Sequence, residues 1–118
     1  MPQTTTVPLE VQLIVDALDD KRAIATTVLN LTTVSDALDY FVVATGASTL
    51  QLKALEESVR ERLKGAGIQP RGVEGPSLRW TLIDYGEVVV HLMSPEAREF
   101  YDLEGLWADA ERLEVVPG

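Results

Sequence analysis

The chain reads as a mixed α/β (α+β) fold: one domain over residues 1–118, with a single mixed sheet of about five strands flanked by helices. Three observations predict it. Apolar residues recur at helical spacing in three stretches, near residues 9–20, 49–64 and 95–101. Between them lie runs rich in Val, Ile, Thr and aromatic residues, bounded by Gly, Pro, Asp or Ser. The resulting order is helix, strand, strand, helix, strand, strand, strand, helix, which packs helices onto one sheet.

Residues 1–6 are polar and read as a flexible start. Pro8 suits a first helical turn. Leu9, Leu13, Ala17 and Leu18, with Ile14, form the stripe of a helix ending near Asp19-Asp20. A strand follows over 24–30, where Ile24, Thr26 and Val28 alternate with Ala25, Thr27 and Leu29. Ser35-Asp36-Ala37-Leu38 is a loop. Residues 39–45 make a strand without a polar face, the pattern of a central strand covered on both sides. Gly46-Ala47-Ser48 then opens a helix through a Ser-x-x-Gln capping box, Ser48 with Gln51. That helix aligns Leu52, Leu55, Val59 and Leu63 and stops at Gly65 and Gly67.

Residues 69–75 form a short strand with Pro70 marking an edge. If it shares the sheet with 39–45, the connection is a right-handed parallel crossover. Arg79 to Met93 is a hairpin. With Tyr85-Gly86 as its two-residue turn, Asp84 pairs with Glu87, Leu82 faces Val89 and Trp80 faces His91. One hairpin face carries Thr81, Ile83, Val88, Val90 and Leu92. The other carries Trp80, Leu82, Asp84, Glu87, Val89, His91 and Met93, an apolar and aromatic surface edged with charge. Such a face lies either under one of the chain's helices or against a partner. Ser94-Pro95-Glu96 starts a helix over 95–101: a capping hydroxyl, Pro, then an acid at the positive dipole end. Leu103, Leu106 and Trp107 follow, and Gly105 argues against one continuous helix. Residues 112–118 read as a flexible tail.

Ten basic against 19 acidic side chains give a net charge of −9. Phosphate backbones repel that surface, so direct DNA or RNA binding is disfavoured and a basic protein partner is favoured. On composition alone, solubility is the first reading of the charge. Cysteine is absent, which excludes disulfides, thiolate metal sites and a Cys nucleophile. The N-terminus lacks the basic start and apolar run of a signal peptide, and no stretch is long enough to span a bilayer, so a location in the cytoplasm is expected.

Catalytic constellations are weak. His91, the only histidine, is a candidate base, but a lone His on a strand more often stacks on a neighbour such as Trp80. Ser48 resembles a nucleophile elbow loosely, because Gly-x-Ser-x-Gly is broken at Leu50; helix capping accounts for it. The Gly46 junction lacks the glycine spacing of a nucleotide-phosphate loop. Asp36 with Asp39, or Asp84 with Glu87, is a poor metal pair, and Glu74 has no partner visible in the sequence. No cofactor or metal is expected.

Several collinear runs together resemble the ribosomal silencing factor family (RsfS, also called Iojap). They are Asp39-Tyr-Phe-Val-Val-Ala-Thr-Gly-Ala-Ser48, Gly72-Val-Glu-Gly75, Trp80, Asp84-Tyr-Gly-Glu-Val-Val-Val-His91 and Arg98-Glu-Phe-Tyr-Asp-Leu-Glu-Gly-Leu-Trp107. They span roughly residues 8–107. Two positions depart from the family's usual wording: Ala47, where Thr is common, and Glu87, where Asp is common. The resemblance implies a nucleotidyltransferase-like fold without that enzymatic role. It implies a homodimeric translation regulator that binds a protein of the large ribosomal subunit on its joining face. Subunit association is thereby hindered and translation lowered when nutrients are scarce. Carried over, the partner surface comprises Trp80, Leu82, Asp84, His91 and Tyr101, and Glu74 joins Asp84 in pairing with basic groups. A nucleotide-binding or nucleotidyltransferase-like enzyme is the alternative.

Overall fold

Val11, Ile14, Val15 and Leu18 recur at three- and four-residue spacing and give α1 (Leu9–Asp20) its buried stripe. Leu9 falls outside that stripe and is exposed, a correction to the expected pattern; Leu13 is half-buried at its margin. The computed structural model describes residues 7–75 and 79–118. After α1 come β1 (Ile24–Asn30), β2 (Tyr40–Thr45), α2 (Thr49–Gly65), β3 (Gly72–Glu74), β4 (Trp80–Asp84) and β5 (Val88–Met93). The chain continues through α3 (Pro95–Tyr101), α4 (Leu103–Leu106) and β6 (Glu111–Leu113).

The sheet has six strands in the order β3-β4-β5-β2-β1-β6, one more than expected. The added strand lies in what the sequence presents as a tail. Its three residues carry little local signal, but Leu113 pairs with Val28 and packs on the α1 side of the sheet. The expected parallel relation across α2 holds, although the two strands are not neighbours. β2 and β3 share the sheet and run the same way, but β5 and β4 lie between them, and β2 pairs in parallel with β5.

The hairpin register differs from expectation by two residues. Tyr85 N–H donates to Val88 O at 2.9 Å, so Gly86 and Glu87 form the loop. Trp80 lies opposite Met93, Leu82 opposite His91 and Asp84 opposite Val89. The Tyr85 ring is buried beside Ile83 and Val88, which extends β4's core face by one more residue. Gly86 takes φ +91°, as the first position of such a loop requires, and its N–H donates to Asp84 Oδ1 at 2.7 Å. A two-residue shift preserves side-chain parity, so both predicted faces survive it.

Helices α1 and α2 cover one sheet face. Their apolar stripes meet Val42, Ala44, Ile83, Val90 and Leu92 there. On the other face, Leu29, Phe41, Val43, Val89 and Met93 pack with Ala97 of α3 and Leu103 of α4. The break between α3 and α4 falls at Asp102, in the left-handed conformation at φ 44°, rather than at Gly105. Asp102 caps the Gly105 N–H at 3.1 Å, and a Cβ on Gly105 would sit 2.1 Å from the Asp102 carboxylate. Among the described residues, no helix is long and apolar enough to cross a membrane.

Candidate protein-docking surface

Strand alternation and register assemble the second sheet face in rows. Glu74, Leu82, His91 and Val43 align across β3, β4, β5 and β2; Gly72, Asp84, Val89 and Phe41 form the next row. The C-terminal helices cover the β2–β5 part of this face, where Val43, Val89 and Met93 are buried. Towards the β3 edge the cover is partial. Trp80, Leu82 and Asp84 are half-buried there, and Glu74 is exposed. Glu74, Gly75, Trp80 and Leu82 line a shallow depression of about 280 Å³. An indole, an isobutyl group and two carboxylates therefore share one open strip, which the chain's own helices do not seal.

The indole is oriented from below. Trp80 Nε1–H donates to His91 Nδ1 at 3.2 Å. His91 is 4% exposed, and burial pushes its pKa down to about 4. The ring is therefore neutral at ordinary pH, with its proton on Nε2, which leaves Nδ1 free to accept. Phe41 meets the imidazole edge-on with centroids 4.5 Å apart, and Tyr101 flanks Trp80 at 4.6 Å. Tyr101 is 39% exposed, so it continues the strip outward, whereas His91 presents no surface and acts as a support.

Arg98 holds the helix that carries Tyr101. Its guanidinium donates to both carboxylate oxygens of Glu104, at 3.0 and 3.1 Å. It also donates to Thr45 Oγ1 and Thr27 Oγ1, each at 3.0 Å. This fork ties α3 to α4, β2 and β1, and the Arg98 hydrogen bonds hold the Glu104 carboxyl below the usual carboxylate range. Ser94 caps α3 by accepting the Ala97 N–H at 3.1 Å.

The structure thus brings Trp80, Leu82, His91 and Tyr101 together, with Glu74 opposite Leu82 and Asp84 next along β4 on the same face. Asp84 also braces the hairpin loop. Two supports went unrecognised as site residues in the sequence, Phe41 and Arg98. Period-two alternation could have found Phe41 once β2 was paired with β5; nothing local marks the partners of Arg98.

The strand-to-helix junction at Gly46 is chemically occupied. Ser48 Oγ accepts the Gln51 N–H at 3.1 Å, and Gln51 Oε1 accepts the Ala47 N–H at 2.7 Å. Gly46 N–H donates to Met93 O at 3.1 Å. Gln51 Nε2 donates to Lys21 O and Arg22 O, closing the box onto the α1–β1 turn. The N–H groups of Gly46, Ala47 and Gln51 are thus taken up within the fold, as helix capping requires.

The sequence profile of the family described as "Ribosomal silencing factor during starvation" matches residues 4–117. The chain belongs to the ribosomal silencing factor family. A ribosomal silencing factor of Halalkalibacterium halodurans is 38% identical over 105 residues, covering 88% of this chain and 90% of that protein. The mouse protein named mitochondrial assembly of ribosomal large subunit protein 1 is 40% identical over 73 residues, 58% of this chain and 32% of its own. A crystal structure of a Chromobacterium violaceum protein superposes with a TM-score of 0.83 at 36% identity, covering 97% of this chain and 95% of that one. The family-like runs of this silencing-factor chain fall on the site just described. Asp39–Ser48 supplies Phe41 and the capped junction, Asp84–His91 supplies the hairpin and the imidazole, and Arg98–Trp107 supplies the clamp and Tyr101.

Proposed function

We propose that this ribosomal silencing factor docks the open strip of its second sheet face onto a basic protein of the large ribosomal subunit, at the surface that meets the small subunit. The observation that carries this is the partly uncovered arrangement of Trp80, Leu82 and Tyr101 beside Glu74 and Asp84. It has the composition of an interface centre with a charged rim. A net charge of −9 favours a cationic neighbour and speeds encounter with it. Silencing is then steric. A body about 35 × 33 × 31 Å seated at an intersubunit contact keeps the other subunit away, and repression under starvation follows from occupancy rather than from chemistry. The mouse relative's name refers to the large subunit, which agrees with this choice of partner. Self-association as a homodimer, implied by the family resemblance, completes the reading and is measured by sedimentation velocity.

Subunit joining tests the proposal. Purified large and small subunits are mixed with wild-type protein, Trp80→Ala or Leu82→Glu, and the joined fraction is read by light scattering. Wild type lowers it; each variant, checked for folding by circular dichroism, loses about 2 kcal/mol or more of large-subunit affinity. Joining that proceeds equally with and without wild-type protein would sink the reading.

A further inference from the structure

Of the large apolar side chains exposed outside the strip, Phe100 and Leu106, 79% and 75% exposed, lie on the α3–α4 unit, while Leu9, Ile24, Val34, Leu50 and Val116 lie elsewhere. Scattered exposed apolar residues need no explanation. Phe100 is not scattered. Its ring meets Tyr101 edge-on at 5.0 Å, and Tyr101 meets Trp80 at 4.6 Å, so an aromatic ribbon runs from the sheet strip over the edge of α3.

The charge on the segment that carries that ribbon is predominantly acidic. From Pro95 to Arg112 the chain carries Glu96, Glu99, Asp102, Glu104, Asp109 and Glu111 against two cations, Arg98 and Arg112. Arg98 is turned inward to Glu104 and two threonines, and Arg112 lies 3.9 Å from the same Glu104 carboxylate, so both cations are directed at Glu104 rather than at the outer carboxylates. Glu96, Glu99, Asp102 and Asp109 are all exposed. Exposed apolar side chains on a predominantly acidic helical unit fit an occupant that offers apolar anchors among basic residues.

We infer that the outer side of α3–α4, centred on Phe100 and Leu106, is a second protein-contact surface that receives a lysine- or arginine-rich segment with apolar anchors. It extends the ribosomal footprint of the Trp80 strip, and it rests on the docking proposed above. A second copy of the chain is a poor occupant, because a two-fold contact through this surface opposes like charges. A lipid surface is poorer still, since anionic headgroups attract basic segments and repel acidic ones.

The test measures co-sedimentation with purified large subunits for wild type, Leu82→Glu, the double variant Phe100→Ser/Leu106→Ser and the double variant Glu96→Lys/Glu99→Lys. The altered side chains of both double variants are exposed, and thermal melting verifies their folding. Phe100→Ser/Leu106→Ser is expected to weaken binding about tenfold with an unchanged melting temperature. Glu96→Lys/Glu99→Lys is expected to weaken binding and to flatten its dependence on salt. If both double variants bind like wild type while Leu82→Glu does not, the second surface is refuted and the first stands. If they alter only self-association, seen by sedimentation velocity, the surface belongs to the dimer and the inference is overturned. If wild type itself fails to co-sediment, the ribosomal docking fails and takes this extension with it.

Discussion

The Trp80 indole N–H donates to Nδ1 of His91 at 3.2 Å, so a half-buried aromatic on an open surface is aimed by an imidazole that water barely reaches. A rigid aromatic loses little freedom on binding, which makes it an effective anchor. The support also couples surface geometry to a titratable core group.

Acid should therefore weaken the fold in a defined window. His91 titrates near 6.5 when unfolded and at about 4 when folded. Between those values the unfolded chain holds a proton that the native state refuses, so stability falls as pH drops from about 6.5 to about 4 and levels off below. The full contribution is present above 6.5, and its size is about 3 kcal/mol. Urea unfolding across pH 4–7 should show this slope in wild type and lose it in His91→Leu. A variant that keeps the wild-type slope would assign the effect elsewhere.

Arg98→Ala should cost about 3 kcal/mol, because it strands the partly buried Glu104 carboxylate and two hydroxyls at once. Arg98→Lys should recover little, since an ammonium cannot reproduce the two-pronged contact. Glu104, held below its ordinary range by Arg98, contributes stability above its unfolded pKa and loses it as pH falls through the folded value; the alanine variant should lack this acid limb. Denaturant midpoints at neutral and acid pH measure both effects.

Ser48→Ala should lower stability by about 1 kcal/mol through loss of the α2 cap and leave inhibition of subunit joining intact. A variant that folds normally yet no longer inhibits joining would show that the hydroxyl has a role beyond capping.

Gly86→Ala should cost about 1–2 kcal/mol, since φ +91° strains any L side chain and the new Cβ would lie 2.9 Å from Arg71 Cζ. The loop is remote from Trp80 along β4, so affinity for the large subunit should fall less than stability does. Chemical denaturation beside the co-sedimentation assay separates the two.

Much of the fold was legible locally. The apolar run over 40–44 announced a strand covered on both faces, and β2 lies inside the sheet beneath both helical layers. The Ser48–Gln51 box and Ser94-Pro95 marked two helix starts because capping depends on residues three apart. The hairpin faces were right even though the turn was misplaced, because parity is unchanged by an even slip. Gly86 suits either of two adjacent loops; only the burial of Tyr85 against the α2 side selects one.

Pattern and capping chemistry, read along the chain, were enough to specify the helices, the two faces of the hairpin and the cluster of amphipathic residues around Trp80, because these depend on neighbours a few residues away. Three features needed the assembled molecule. They are the pairing of Leu113 with Val28, the seating of Arg98 between Glu104 and two threonines, and the extent to which α3 leaves Trp80 and Leu82 open. Each joins segments far apart in sequence. Contacts of that kind are set by which surfaces remain unsatisfied once the local elements have packed, and no local spacing records them.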